Sequence, residues 1–143
     1  MRELKMLSQS LLLAICLSTS SAFADTIIDI EGEAARATIS GQIAAFLKND
    51  NETAYSYAAP IIKQQFPNVE IFMLMVVHGF QPVWKPKNYA FGKAIQIGPE
   101  EIMQQVFLTG PDGKPYEALY TLTKQKEGDY KISAVRIIEA TAA

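Results

Sequence analysis

The chain has 143 residues, 49% of them hydrophobic and 20% charged, with a formal net charge of −2 and only one cysteine and one histidine. That length gives room for one buried core. The mild acidity gives no electrostatic reason to seek DNA, RNA or anionic lipid, and one cysteine excludes an internal disulfide scaffold.

The first residues have the three-part layout of an export leader. Met1–Met6 carries Arg2 and Lys5, Leu7–Leu17 is apolar, and Ala22-Phe23-Ala24 is a small-x-small cleavage site before Asp25. The apolar stretch falls short of the roughly 20 residues that span a bilayer, so no stable membrane span is expected. Lipoprotein processing at Cys16 is the rival, and Ile15 opposes it, because a small residue normally stands there. We therefore expect a signal peptide over 1–24 and one domain over 25–143, periplasmic or secreted. Removing Arg2, Lys5 and Glu3 from the 13 basic and 15 acidic side chains leaves 11 and 14, a net of −3. Cys16 leaves with the leader, so no thiol nucleophile or thiolate ligand is expected in the mature protein.

After the leader the first half reads as helices and the second as strands. Ala35, Ile39, Ile43, Phe46 and Leu47 recur at steps of three and four, one apolar helical stripe, which ends at the turn formers Asn49-Asp50-Asn51. A short helix is expected over Glu52–Ala59, and a third over Ile61–Phe66 with Pro60 in its first turn and Pro67 as its stop. Asn68 then caps Val69–His78, with Glu70 near the positive end and Gly79 as a left-handed exit. Ile71–Val77 is apolar without a break, so that helix needs burial on more than one side. Phe80–Pro86 reads as an extended crossing, because a proline pushes the preceding residue out of the helical region.

Four strands follow, over Asn88–Ile97, Glu101–Thr109, Lys114–Lys124 and Tyr130–Glu139. Gly110-Pro111-Asp112-Gly113 marks the central hairpin and Gly128-Asp129 the last turn. Tyr116, Ala118, Tyr120 and Leu122 share one face, as do Tyr130, Ile132, Ala134 and Ile138. The expected fold is α+β, N-terminal helices packed on a curved antiparallel β-sheet.

Ile43-Ala44-Ala45-Phe46 with Asp50 and Ala54 to Pro60, Phe72-Met73 with Met75-Val76, Pro82-Val83-Trp84-Lys85-Pro86, Gln105 to Gly113 and Ala118 to Leu122 follow one another in order. Together they resemble the bacterial domain-of-unknown-function 4864 family, and the likeness covers about residues 35–139. Tyr130 stands where such sequences usually have Trp. The resemblance implies a plan similar to the nuclear-transport-factor-2-like (SnoaL-like) cone, in which helices cup a curved sheet around a pocket. It implies no activity, and no functional residue carries over.

The site chemistry is correspondingly sparse. His78 reads as a last-turn helix residue rather than a general base. Tyr55, Trp84 and Tyr120 are the ligand-pocket candidates, each also readable as aromatic core. An isomerase of this plan needs a carboxylate facing a phenol across an apolar cavity. Asp50 lies in a turn, and Glu117 on the strand face opposite Tyr120. No catalytic residue is assigned, and no metal or cofactor is expected, since the acidic pairs lack His or Cys at ligand spacing. Met73 and Met75 are the candidate seam of a homodimer. The expected function is that of an exported, non-catalytic domain binding a small apolar ligand or a protein partner. The alternative is a small-molecule isomerase or hydrolase using the same pocket.

Overall fold

The structure is a computed structural model that describes residues 20–141, with side chains from Ile30 onward. The charged start and apolar stretch of the expected leader, with Cys16, lie outside the described residues, as do the side chains of Ala22, Phe23 and Ala24. Among the described residues five helices precede four strands: α1 (Ser20–Leu47), α2 (Asn51–Ser56), α3 (Pro60–Gln65), α4 (Val69–Gly79), α5 (Gln81–Trp84), then β1 (Asn88–Gly98), β2 (Glu101–Thr109), β3 (Pro115–Lys124) and β4 (Tyr130–Glu139). The strands form one curved antiparallel sheet in the order β1-β2-β3-β4. The result is the α+β arrangement expected, consistent with a cone-like plan.

α1 holds the molecule together because it is apolar on two sides. Ala35, Ile39 and Ile43 bury against Val106, Tyr120 and Leu122 on the inner face of the sheet. Ala45 and Phe46 bury instead against Ala54, Ala58, Phe72 and Val76. Phe46 stacks on Phe72 with ring centroids 6.3 Å apart. Polar anchors fix the helix between these clusters. Thr38 Oγ1 donates to Tyr130 O at 2.9 Å, and Gln42 Nε2 to Ala54 O at 3.1 Å. α1 ends with Asn49 in the left-handed region, φ 58°, where asparagine costs little. Its C-terminal carbonyls are met by a lysine distant in sequence. Lys85 Nζ donates to Phe46 O at 2.5 Å and to Asn49 Oδ1 at 2.8 Å.

The short helices are capped as their sequences dictate. Asp50 Oδ1 accepts from Thr53 N at 3.2 Å at the start of α2, and Asn68 Oδ1 from Ile71 N at 2.9 Å at the start of α4. The Thr53 hydrogen bonds hold the Asp50 carboxyl below its ordinary pKa.

Three local expectations are corrected. Gly79 does not make a left-handed exit. It is the last residue of α4, and Phe80, at φ −135°, follows as the cap; among the described glycines only Gly113 and Gly128 have positive φ. The stretch Phe80–Pro86 is not extended throughout, because Gln81–Trp84 form α5, closed by Trp84 N to Phe80 O at 3.0 Å and Lys85 N to Gln81 O at 3.0 Å. Pro82 lies in the first turn, where its missing N–H has no helical partner to lose.

The third correction concerns β4. Thr121 pairs with Ala134 and Leu122 with Ile132, so Ser133 is an extra residue, a β-bulge. The bulge shifts the alternation by one. Tyr130 and Ile132 face the helices, but beyond the bulge Val135 and Ile137 do so, while Ala134 and Ile138 are exposed. A second bulge lies in β1, where Gly92 and Lys93 stand opposite Gln105.

Candidate functional site

Between α1, α3, α4, α5 and β4 lies an open cleft of about 390 Å³, within the range of small-ligand pockets. Phe46 and Gln42 of α1 form its floor. Ile62, Gln65 and Phe66 form the wall at α3, Phe72, Met75 and Val76 the wall at α4, and Phe80 and Val83 close the end at α5. The sheet side consists of Ile132, Ser133, Ala134 and Val135.

The corner between α3 and α4 shapes this cleft. Pro60 starts α3 and Pro67 stops it, so the chain must turn at Phe66. Tyr55 fixes the turn, its hydroxyl donating to Phe66 O at 2.6 Å and its ring packing on Phe72 at 5.1 Å. Opposite the corner, Ala58 pairs with Ile132 as an isolated parallel bridge, with Ala59 N to Ile132 O at 2.8 Å and Ile132 N to Tyr57 O at 2.9 Å. That bridge ties the helical layer to the edge of the sheet.

Every side chain lining the cleft is aliphatic, aromatic, thioether, amide or hydroxyl. Gln42 is engaged with Ala54, and Ser133 Oγ donates to Thr121 O and accepts from Thr123 Oγ1, each at 3.1 Å. The groups with displaced titration stand elsewhere. Glu31 of α1 takes a 2.9 Å hydrogen bond from Lys124 Nζ, which holds its carboxyl below the ordinary value. Beside it, burial and the Glu31 carboxyl push the Tyr130 phenol up to about 12. At the central hairpin the Tyr116 phenol is raised to about 12 by its 2.5 Å hydrogen bond to Asp112, whose own carboxyl is lowered by it. Among the described residues no group of three or more His, Cys, Asp and Glu is placed to hold a metal ion. No described helix is long and apolar enough to cross a membrane.

The residues singled out from the sequence do not come together at one place. Met75 lines the cleft; Met73 lies on the far side of α4, beside Asn49 and Glu70. Tyr55 braces the α3–α4 corner from behind. Trp84 is half-buried against the cluster around Phe46, with Lys85 Nζ 5.2 Å from its ring centre. Tyr120 is fully buried on the inner face of the sheet, away from the cleft. It pairs across the ladder with Gln104, also fully buried, and neither Tyr120 Oη nor Gln104 Oε1 has a hydrogen-bond partner. Burial without a charged partner pushes the Tyr120 phenol strongly up. His78 is exposed at the end of α4, where Nδ1 donates to Leu74 O at 2.7 Å.

Sequence reasoning missed Ile62, Phe66 and Phe72 as cleft walls. It also missed the sheet side, where the Ser133 bulge brings Ile132 and Val135, three apart in sequence, onto one face.

A family model described as "Domain of unknown function (DUF4864)" matches residues 29–143. No curated protein and no solved structure matches the chain.

Proposed function

We infer that this chain, which belongs to the DUF4864 family, is an exported domain whose cleft binds an apolar ligand without performing chemistry on it. The observation that carries this reading is the composition of the wall. A pocket of this volume lined by Phe46, Phe66, Met75, Val76 and Val135 favours an apolar occupant, and the amides of Gln42 and Gln65 can orient a polar end. The isomerase or hydrolase alternative requires a carboxylate or His78 at the wall, and the wall offers amides and one hydroxyl instead. Titration with the neutral apolar dye N-phenylnaphthylamine tests the reading. Saturable fluorescence enhancement at one site per chain is the expected result, and a linear, non-saturating rise refutes it.

The export reading rests on the three-part layout of residues 1–24, with the small-x-small site Ala22-Phe23-Ala24 before Asp25. Cleavage before Asp25 falls within α1 but spares its described core positions, which begin with Gly32 and Ala35. The intact mass of protein recovered from outside the cytoplasm should correspond to a chain starting at Asp25. A lipid-bearing species starting at Cys16 would refute this.

We also place a homodimer contact on α4. Within Ile71–Val77, Phe72 and Val76 are buried and Met73 and Met75 half-buried, while Ile71 and Leu74 remain 41% and 61% exposed. Two such side chains per subunit contribute roughly 3–6 kcal/mol before association costs. Light scattering should show a dimer that Leu74→Glu converts to monomer; a monomeric wild type contradicts the assignment.

A further inference from the structure

Four consecutive residues, Ile132 to Val135, line the cleft. The Ser133 bulge by itself puts Ile132 and Val135 on the cleft side. Ala134, exposed on the opposite face, lines the cleft as well, which marks a strand approached from its side. β4 is such an edge, the last strand of the sheet. At its start the chain itself already uses the edge, through the parallel bridge of Ala58 to Ile132. The chain then turns away into α3, and the pairing stops.

Hydrogen bonds along an antiparallel pair alternate between the partner strand and the outer side. Ala140 N donates to Pro115 O of β3. That phase puts Ile138, Arg136 and Ala134 in bonding positions toward β3, and turns N–H and C=O of Ile137 and Val135 outward. Among the described residues no main-chain group from outside the sheet reaches them. A row of outward edge groups beside an apolar cleft is what an added strand requires: main-chain bonds supply affinity, and alternate side chains fill the pocket.

We propose that the cleft's occupant is an extended segment of a partner protein, docked as a fifth strand parallel to β4 and bonded to Val135 and Ile137. The inference rests on the cleft being a binding site and names the class of ligand. The segment carries apolar residues at every second position, facing Ile62, Phe66 and Met75. Its direction continues that of Tyr57–Ala59, the stretch already paired parallel to the same edge. A single extended chain suits the site, because a second copy's β4 arrives with its own α3 and α4 alongside.

The probe is a blocked synthetic peptide alternating leucine and threonine, compared with its analogue N-methylated along one edge. On the mature protein, the unmodified peptide should slow hydrogen exchange of the Val135 and Ile137 amides at least about tenfold and bind about tenfold more tightly than the analogue. Ile137→Pro, which removes an outward N–H at a position where an edge strand accepts proline, should bring the unmodified peptide's affinity down to that of its N-methylated analogue. If that variant does not fold, the N-methylated peptide decides alone. Equal affinity of the two peptides, or no protection at Val135 and Ile137, overturns the proposal. Dye binding that persists in that case leaves the cleft reading standing, whereas loss of dye and peptide binding together removes both. Concentration-dependent protection of these amides in the protein alone would assign the edge to a second copy and overturn the proposal as well.

Discussion

Gln104→Glu should destabilise the domain by about 3–5 kcal/mol at neutral pH, close to the cost of leaving a buried charge without a partner. Gln104 is fully buried, and its amide nitrogen donates to Gly92 O at 3.2 Å, Lys93 O at 3.3 Å and Gln105 O at 2.8 Å. Those carbonyls belong to the β1 bulge and to the strand facing it. A bulge leaves ladder groups unpaired, and this one side chain meets them from inside. Gln105 completes the arrangement on the outer face, where its Oε1 accepts from Lys93 N at 3.1 Å. That approach requires Gly92, since a Cβ there would overlap the Gln105 amide. A carboxylate at position 104 would turn acceptor oxygens toward three carbonyl oxygens in a dry site.

The sign of the pH dependence follows. Burial raises the folded-state pKa of the introduced glutamate above its unfolded value of about 4.3. Below that value both states are protonated and the charge penalty vanishes. As pH rises from there to the folded-state pKa, the penalty grows to its full size. Thermal melts of variant and wild type should therefore converge in acid and diverge toward neutrality. A constant gap would mean that the carboxylate finds solvent and that the site is not closed.

Phe46→Ala should cost about 3–5 kcal/mol, the usual range for an aromatic side chain removed from a core. Phe46 is 1% exposed, stacks on Phe72 and joins the α1–α4 cluster to the floor of the cleft. Against a typical domain stability of about 5–15 kcal/mol the loss is severe. It also opens the cleft floor toward Ala54 and Ala58. Urea unfolding checks the value. A loss below about 1 kcal/mol would show that the second cluster is not a cooperative part of the fold.

The regular elements were legible because local chemistry and tertiary packing agree in them. Ala35, Ile39, Ile43 and Phe46 of the expected stripe are apolar at helical spacing and buried, whereas Leu47, read into the same stripe, is 49% exposed at the end of α1. Gly110 to Gly113 separates β2 from β3 as a turn should. What escaped were places where a single residue alters the phase or a distant group decides. Ser133 shifts β4 by one position, and no propensity marks it as an insertion. Pro82 reads as part of an extended crossing, yet a first-turn proline is compatible with α5. The cleft was the least legible feature. Its walls come from five elements, and Phe66 and Phe72 look in sequence like any other core aromatics. Tyr120 illustrates the same limit in reverse, since a phenol on the inner face of the sheet reads equally as pocket or as core, and only the position of α1 over it distinguishes the two.

Every role proposed for this protein turns on the cleft beside β4 being a binding site. Titration of N-phenylnaphthylamine into wild type, Met75→Glu and Leu74→Glu tests it most directly. Met75 lines the cleft, whereas Leu74, one residue away on the same helix, is exposed and lines no part of it. A glutamate at position 75 puts a charge against the ligand's apolar surface, for which even about 1.4 kcal/mol is a tenfold loss. Saturable binding to wild type and to Leu74→Glu is expected, with affinity at least about tenfold lower in Met75→Glu. Equal affinity in all three proteins would contradict it.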